Sequence, residues 1–137
     1  MNTQTTVSAI KERQRILLVD NDPDMSRFLD RVLDIEGFDT MLVADNDEAL
    51  DFLKQLEPDL IIMDTGTPDE DALRTLDLVR KHSNVPIVIL TSDNEVSTLK
   101  EAFARGADDF IRKPFGTRLL IARIKAKLRR CRPLIRP

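Results

Sequence analysis

The sequence predicts an α/β fold in three layers: a five-stranded parallel sheet with helices on both faces. Three observations carry that expectation. Short apolar runs ending in acidic or turn residues alternate with segments whose apolar residues recur every three to four positions. The alternation occurs five times, without internal repeats or low-complexity segments. The apolar runs are also continuous, as strands buried on both faces of a parallel sheet require.

Each element follows in order. Ile16-Leu-Leu-Val19 is the first strand and ends at Asp20-Asn21-Asp22-Pro23. Asp22 before Pro23 reads as a helix N-cap with proline at the first helical position. The helix presents Met25, Phe28, Leu29, Val32, Leu33 and Ile35 to the core, and Gly37 closes it. Phe38 to Val43 is the second strand. Asn46 then caps a helix with Ala49, Leu50, Phe52, Leu53 and Leu56 inward, ending before Pro58. Leu60 to Met63 is the third strand and ends at Asp64. A turn-like stretch, Thr65 to Asp69, leads to a helix over about 70–82 carrying Leu73, Leu76 and Val79. Pro86 to Leu90 forms the fourth strand, ending at Thr91-Ser92. A helix from about Glu95 to Arg105 stops at Gly106, and Asp108 to Arg112 is the fifth strand. The last helix spans about Thr117 to Arg130. Right-handed crossovers join such units. The expected fold is flavodoxin-like, with strand order 2-1-3-4-5. Residues 14–130 would form the domain, 1–13 a flexible segment and 131–137 the start of a linker.

Composition narrows the function. With 137 residues the chain can enclose one sizeable core. A single cysteine, Cys131, excludes a disulfide scaffold, and one histidine, His82, leaves no Cys/His zinc site. No apolar run approaches membrane-spanning length, and the N-terminus lacks a signal-peptide core. A soluble cytoplasmic domain is expected. The net charge of −3 conceals a polarity. Seventeen acids and three bases lie between Asp20 and Asp71, whereas eight bases and no acids follow Gly116. One reading of this is solvated helix faces. The alternative reading is an acidic, cation-binding front half and a basic tail facing a partner.

Ligands of open α/β sheets sit outside the carboxyl ends of the strands. Those ends carry Asp20, Asn21 and Asp22 after the first strand, Asp64 after the third, Thr91 and Ser92 after the fourth, and Lys113 after the fifth. Carboxylates gathered in one concavity repel unless a cation lies among them. A few hard oxygen donors suit Mg²⁺. A lysine and a hydroxyl on the far rim offer a phosphoryl group one point charge and one donor. Asp22 alone is explained by capping; the four strand ends together are not.

The segments ILLVDND, PDLIIMDTGTP, PIVILTS and GADDFIRKPF stand in an order and spacing that resemble the receiver domain of bacterial two-component response regulators, over about residues 14–130. The resemblance implies that Asp64 accepts a phosphoryl group from a sensor histidine kinase or phosphotransfer protein. It implies that Asp20 holds the water shell of Mg²⁺, with Asp64 and the Gly66 carbonyl as direct ligands. Thr91 would hydrogen-bond the phosphoryl oxygens and Lys113 would pair with them. Phe110 would be an aromatic switch, turning inward when Thr91 is drawn to the phosphate. The bond between Lys113 and Pro114 would be cis. Any catalysis would be limited to the domain's own phosphotransfer and dephosphorylation.

Asn21 departs from the family pattern, which places a second acidic Mg²⁺ ligand there. The amide oxygen can coordinate, but one charge is gone, so affinity and phosphorylation should fall. Ala72 and Thr67 also depart, which points to an altered loop. An alternative is therefore a receiver that acts unphosphorylated, as a dimerisation or docking module. GADDF and LLIARIKAKLRR further resemble regulators carrying a winged-helix DNA-binding domain, which would have to lie outside this chain. There the fourth helix, fifth strand and fifth helix form a dimer face, with Asp109 and Arg123 pairing between copies. Leu99 and Leu119 replace a charged pair, either as an apolar contact across that face or as packing within the chain.

Rival readings fit less well. A haloacid dehalogenase-like phosphatase would use Asp20 as nucleophile and Asp22 as acid/base, with Thr91 and Lys113 in later motifs. It needs an acidic pair after its lysine, and Asp108-Asp109 precede Lys113. A flavin carrier needs a hydroxyl-rich first loop, and this one is acidic. Arg129, Arg130, Arg132 and Arg136 could contact nucleic-acid phosphates, but no recognition helix accompanies them.

Overall fold

The computed structural model of the chain describes residues 13–65 and 68–131. The segments expected at 1–13 and 131–137 fall almost wholly outside these residues. Arg13 is described, and it is anchored: its guanidinium donates to the Phe38 carbonyl at 2.7 Å and pairs with Asp34 and Asp39.

Five parallel strands form one sheet in the order β2-β1-β3-β4-β5. They are β1 (Arg15–Val19), β2 (Asp39–Val43), β3 (Leu60–Asp64), β4 (Ile87–Thr91) and β5 (Asp109–Arg112). The connecting helices are α1 (Pro23–Ile35), α2 (Asn46–Gln55), α3 (Glu70–His82) and α4 (Val96–Ala104), and α5 (Thr117–Cys131) follows β5. This is the flavodoxin-like arrangement the alternation predicts.

The pleat divides the core in two. Ile16, Leu18, Leu60, Ile62, Val88, Leu90 and Ile111 point to one face, where Leu29 and Leu33 of α1 and Leu120, Ile124 and Leu128 of α5 cover them. Leu17, Val19, Ile61, Met63, Ile87 and Ile89 point to the other, beneath Ala49 of α2, Leu76 and Val79 of α3 and Ala102 of α4. Because β1, β3 and β4 are buried on both sides, their sequences read as unbroken apolar runs. β2 lies at an edge, and its Leu42 is exposed.

Local chemistry sets the helix starts. Asp22 caps α1, its carboxylate accepting from the Asp24 N–H at 3.0 Å, with Pro23 next. The cap of α2 is Asp45 and not Asn46. Asp45 accepts from the Glu48 N–H at 2.9 Å, while the Glu48 carboxylate accepts from the Ala44 N–H at 2.9 Å. That exchange is a capping box shifted by one residue at its return bond. Asn46 starts the helix and donates its amide to Asp71 at 2.6 Å. Three residues expected to face the core do not. Phe28 and Ile35 of α1 are 45% and 75% exposed, because Leu29, Leu33 and Ser26 already fill the narrower buried stripe. Leu56 lies beyond the last turn of α2 and is also exposed.

At the amino edge of the sheet a clamp joins α3 to β5. Arg80, in the last turn of α3, donates to the carbonyls of Gly106, Val85 and Ser83 and to the Asp108 carboxylate. The same Asp108 oxygen accepts from the Ile87 N–H at 2.7 Å. Gly106 adopts φ +121°, and a Cβ there would stand 2.6 Å from Cγ of Arg80. Glycine is required twice over, by backbone conformation and by the side chain lying across it.

Candidate functional site at the carboxyl edge of the sheet

The opposite edge gathers the polar groups. β1 and β3 are neighbours, aligned Val19 with Met63, so Asp20 and Asp64 leave the sheet side by side. β4 follows β3, with Asp64 level with Leu90, and Thr91 is the next residue. Lys113 leaves β5, its N–H donating to the Thr91 carbonyl at 2.8 Å. Topology alone therefore brings residues from four strands together.

Lys113 Nζ pairs with Asp64 Oδ1; the Asp64 side chain is 5% exposed and that of Lys113 25%. Asp20 is buried. One of its oxygens accepts from the Asp22 N–H at 2.9 Å, and Oδ2 has no hydrogen-bond partner among the described residues. Burial, followed by repulsion from Asp64, pushes the Asp20 carboxyl above the ordinary carboxylate range despite the opposing bond from Asp22. Thr91 is fully buried, and its Oγ1 accepts from the Asp93 N–H at 3.0 Å. The exposed Asn21 lines a cleft of about 190 Å³ together with Asp20, Asp64, Asp45, Asn46, Asp69 and Asp71. Asp22 stands aside as the α1 cap. Gly66, expected to offer its carbonyl, lies outside the described residues, as does Thr67. The Lys113–Pro114 bond is cis.

Among the described residues no three acidic, histidine or cysteine side chains are grouped to hold a metal ion. A cation here would rest on two carboxylates and neutral oxygens. The orphaned, buried Asp20 Oδ2 beside a second carboxylate is the kind of atom such an ion satisfies, and so sparse a carboxylate set fits Mg²⁺.

The raised Asp20 pKa carries a stability prediction. A folded state that holds the proton more tightly than the unfolded chain loses stability as pH rises from the ordinary carboxylate pKa through the raised one. Asp20→Asn should therefore stabilise the metal-free protein at neutral pH. The gap between variant and parent should close on acidification, as urea midpoints measured at pH 7 and near pH 4 would show.

Phe110 of β5 is half-buried, and its ring meets Phe103 of α4 edge-on. Asp109 alternates to the other face and pairs with Arg123 of α5 at 2.8 Å within the chain, where a pairing between copies was expected. The two side chains already face one another across adjoining elements. Arg123 also donates to the Phe110 carbonyl at 3.2 Å. Leu99 is buried beneath α4 on the same side as Ala102, so it is not a surface residue; Leu119 is 46% exposed. Sequence reasoning missed the acidic wall beyond Asp64. Its signal was the excess of acids between Asp20 and Asp71, to which Asp45, Asp69 and Asp71 belong.

A doubly wound α/β protein with an acid–lysine pair at the carboxyl edge is the class these features define. The model of the response regulator receiver domain matches residues 16–125, and the chain belongs to that family. The DNA-binding response regulator MtrA of Mycolicibacterium smegmatis is 41% identical over 118 residues, 86% of this chain and 52% of that protein. The chain thus spans about half the length of the curated relatives it matches. A two-component response regulator from Clostridium difficile superposes with a TM-score of 0.81 at 30% identity, covering 88% of this chain and all of that one. The signal receiver domain of a histidine kinase from Syntrophus aciditrophicus gives 0.78 at 28% identity, covering 90% and 96%. Among the described residues no helix is long and apolar enough to cross a membrane.

Proposed function

We propose that the chain is a phospho-accepting switch of a His-to-Asp relay, with Asp64 as acceptor. The pairing of Lys113 with the nearly buried Asp64, beside the orphaned oxygen of Asp20, is the observation that carries it. An Asp64 oxygen attacks the phosphorus of a phosphohistidine, the P–N bond breaks, and the histidine nitrogen keeps the electron pair and takes a proton. The product is an acyl phosphate on Asp64. Lys113, already against Asp64, offsets part of the roughly −1.5 to −2 charges the phosphoryl group brings. Thr91 offers its hydroxyl to a phosphoryl oxygen. Asp20, Asn21, Asp64 and the Gly66 carbonyl would hold Mg²⁺, which supplies the remaining neutralising charge.

The change at Asp64 would reach the face of α4, β5 and α5 through Thr91 and Phe110. That face, with Asp109, Leu119 and Arg123 at or near its surface, is the proposed homodimer contact. A sensor histidine kinase or phosphotransfer protein in the cytoplasm is the proposed donor. DNA would be reached only through an effector domain, as the DNA-binding relatives suggest, of which the matched 118 residues are only 52%. Asn21 favours a second reading, a module that docks or dimerises unphosphorylated.

Incubation with a small-molecule phosphodonor should add the mass of one phosphoryl group only when Mg²⁺ is present. Asn21→Asp should lower the Mg²⁺ concentration for half-maximal labelling by on the order of tenfold. One added unit charge near a dication at a screened, solvent-open site is worth roughly 1–2 kcal/mol. Absence of labelling in the parent at high Mg²⁺, with labelling in the variant, would establish the second reading.

A further inference from the structure

We infer that Phe103 is a positioning residue for Phe110, an aromatic rest that holds the ring over α4 and sets how readily it turns toward Thr91. This deepens the switch reading proposed above and rests on it. The two ring centroids are 5.6 Å apart and the planes meet at 68°, an edge-to-face pair. Phe110 is aligned with Ile89 of β4. Residues two apart on a strand share a face, so Thr91 projects on the same side as Ile89, one diagonal step from Phe110. The Phe110 ring rests against Phe103 of α4, and the position that the switch reading gives it lies along the sheet toward Thr91.

The outward position has an aromatic partner, and the inward one gives it up. Edge-to-face pairs contribute beyond simple burial, by an amount equal to roughly two- to tenfold in a two-state equilibrium. Burial within the chain does not require an aromatic at position 103. Leu99 and Ala102 fill the buried side of α4, and Phe103 is 42% exposed at its outer edge. An inward turn of Phe110 would also uncover Phe103, widening the apolar surface that Val96 begins on the same helix.

The test compares the full chain with Phe103→Leu, which keeps apolar bulk, and Phe103→Tyr, which restores the ring. Phe110 is followed in fluorophenylalanine-labelled protein by ¹⁹F relaxation dispersion, its resonance assigned with Phe110→Leu. In the unphosphorylated protein the inward population should rise two- to tenfold in Phe103→Leu and return to the parent level in Phe103→Tyr. Phosphodonor labelling rates should follow the same order while urea midpoints stay within the ordinary range of a surface substitution. Equal populations in parent and Phe103→Leu, or no exchange in either, would overturn the inference. The population readout needs no phosphorylation. A parent that never labels but in which Phe103→Leu still shifts the Phe110 population would refute the phosphorylated reading alone. Labelling with an unmoved population would refute the aromatic rest alone.

Discussion

Asp64→Asn is expected to abolish phosphoryl labelling while leaving the fold intact. The amide has the shape of the carboxylate but no charge and no nucleophilic oxygen pair, so the acyl phosphate cannot form. Two stability effects then oppose each other. Lys113 loses the carboxylate it pairs with, while Asp20 loses the neighbour whose charge helps to raise its pKa. Their near cancellation predicts a urea midpoint close to the parent's, so that lost labelling cannot be ascribed to unfolding. Mg²⁺ binding should weaken together with labelling, because Asp64 is also a proposed ligand. Mass spectrometry after phosphodonor treatment, beside a Mg²⁺ titration followed by ¹H–¹⁵N spectra, reads both. Full labelling of Asp64→Asn would move the acceptor elsewhere, with Asp20 the first candidate.

Removing Arg80 should have the largest effect on stability. Its guanidinium serves the carbonyls of Gly106, Ser83 and Val85 and the Asp108 carboxylate, and it is only about one-fifth exposed. Arg80→Ala would leave these acceptors dependent on entering water and Asp108 without its counter-charge. A loss of about 2–4 kcal/mol is expected, a large share of the 5–15 kcal/mol typical of a domain. Gly106→Ala should cost about 1–3 kcal/mol through its positive φ, in addition to the collision with Arg80. Once Arg80 is gone the collision disappears, so the double variant should be more stable than the sum of the single losses implies. Denaturant unfolding of the four proteins completes the cycle. Strict additivity would mean that the side chain does not lie across the glycine as described.

Much of the site was legible because parallel topology, and not contact geometry, assembles it. Once β1, β3, β4 and β5 are recognised by their apolar runs, their final residues must meet, and Asp20, Asp64, Thr91 and Lys113 are those residues or next to them. The flanking caps were less secure. Asp45, Asn46 and Asp47 can each cap a helix, and only the reciprocal bond of Glu48 selects the first. The Arg80 clamp was out of reach, since its partners at Gly106 and Asp108 lie 26 and 28 residues away and no period links them. Its trace in the sequence is the acidic doublet at the start of β5, two adjacent acids that extended backbone sends to opposite faces. Asp108 goes to the Arg80 clamp and Asp109 to Arg123. Spacing also does not reveal whether Asp109 and Arg123 belong to one chain or to two. That distinction depends on α5 lying across β5.

The clamp also bears on how freely the sequence around it can drift. Three of the groups Arg80 grips are main-chain oxygens, which every residue type carries. The grip itself therefore asks nothing of the Ser83 side chain, although Ser83 Oγ accepts from the Val85 N–H at 3.0 Å and donates to Glu57, whereas Arg80, Gly106 and Asp108 are fixed by the clamp. Random mutagenesis selected only for folding should deplete variation at those three more strongly than at Ser83. The depletion should be as strong there as at the proposed phosphoryl site under selection for signalling.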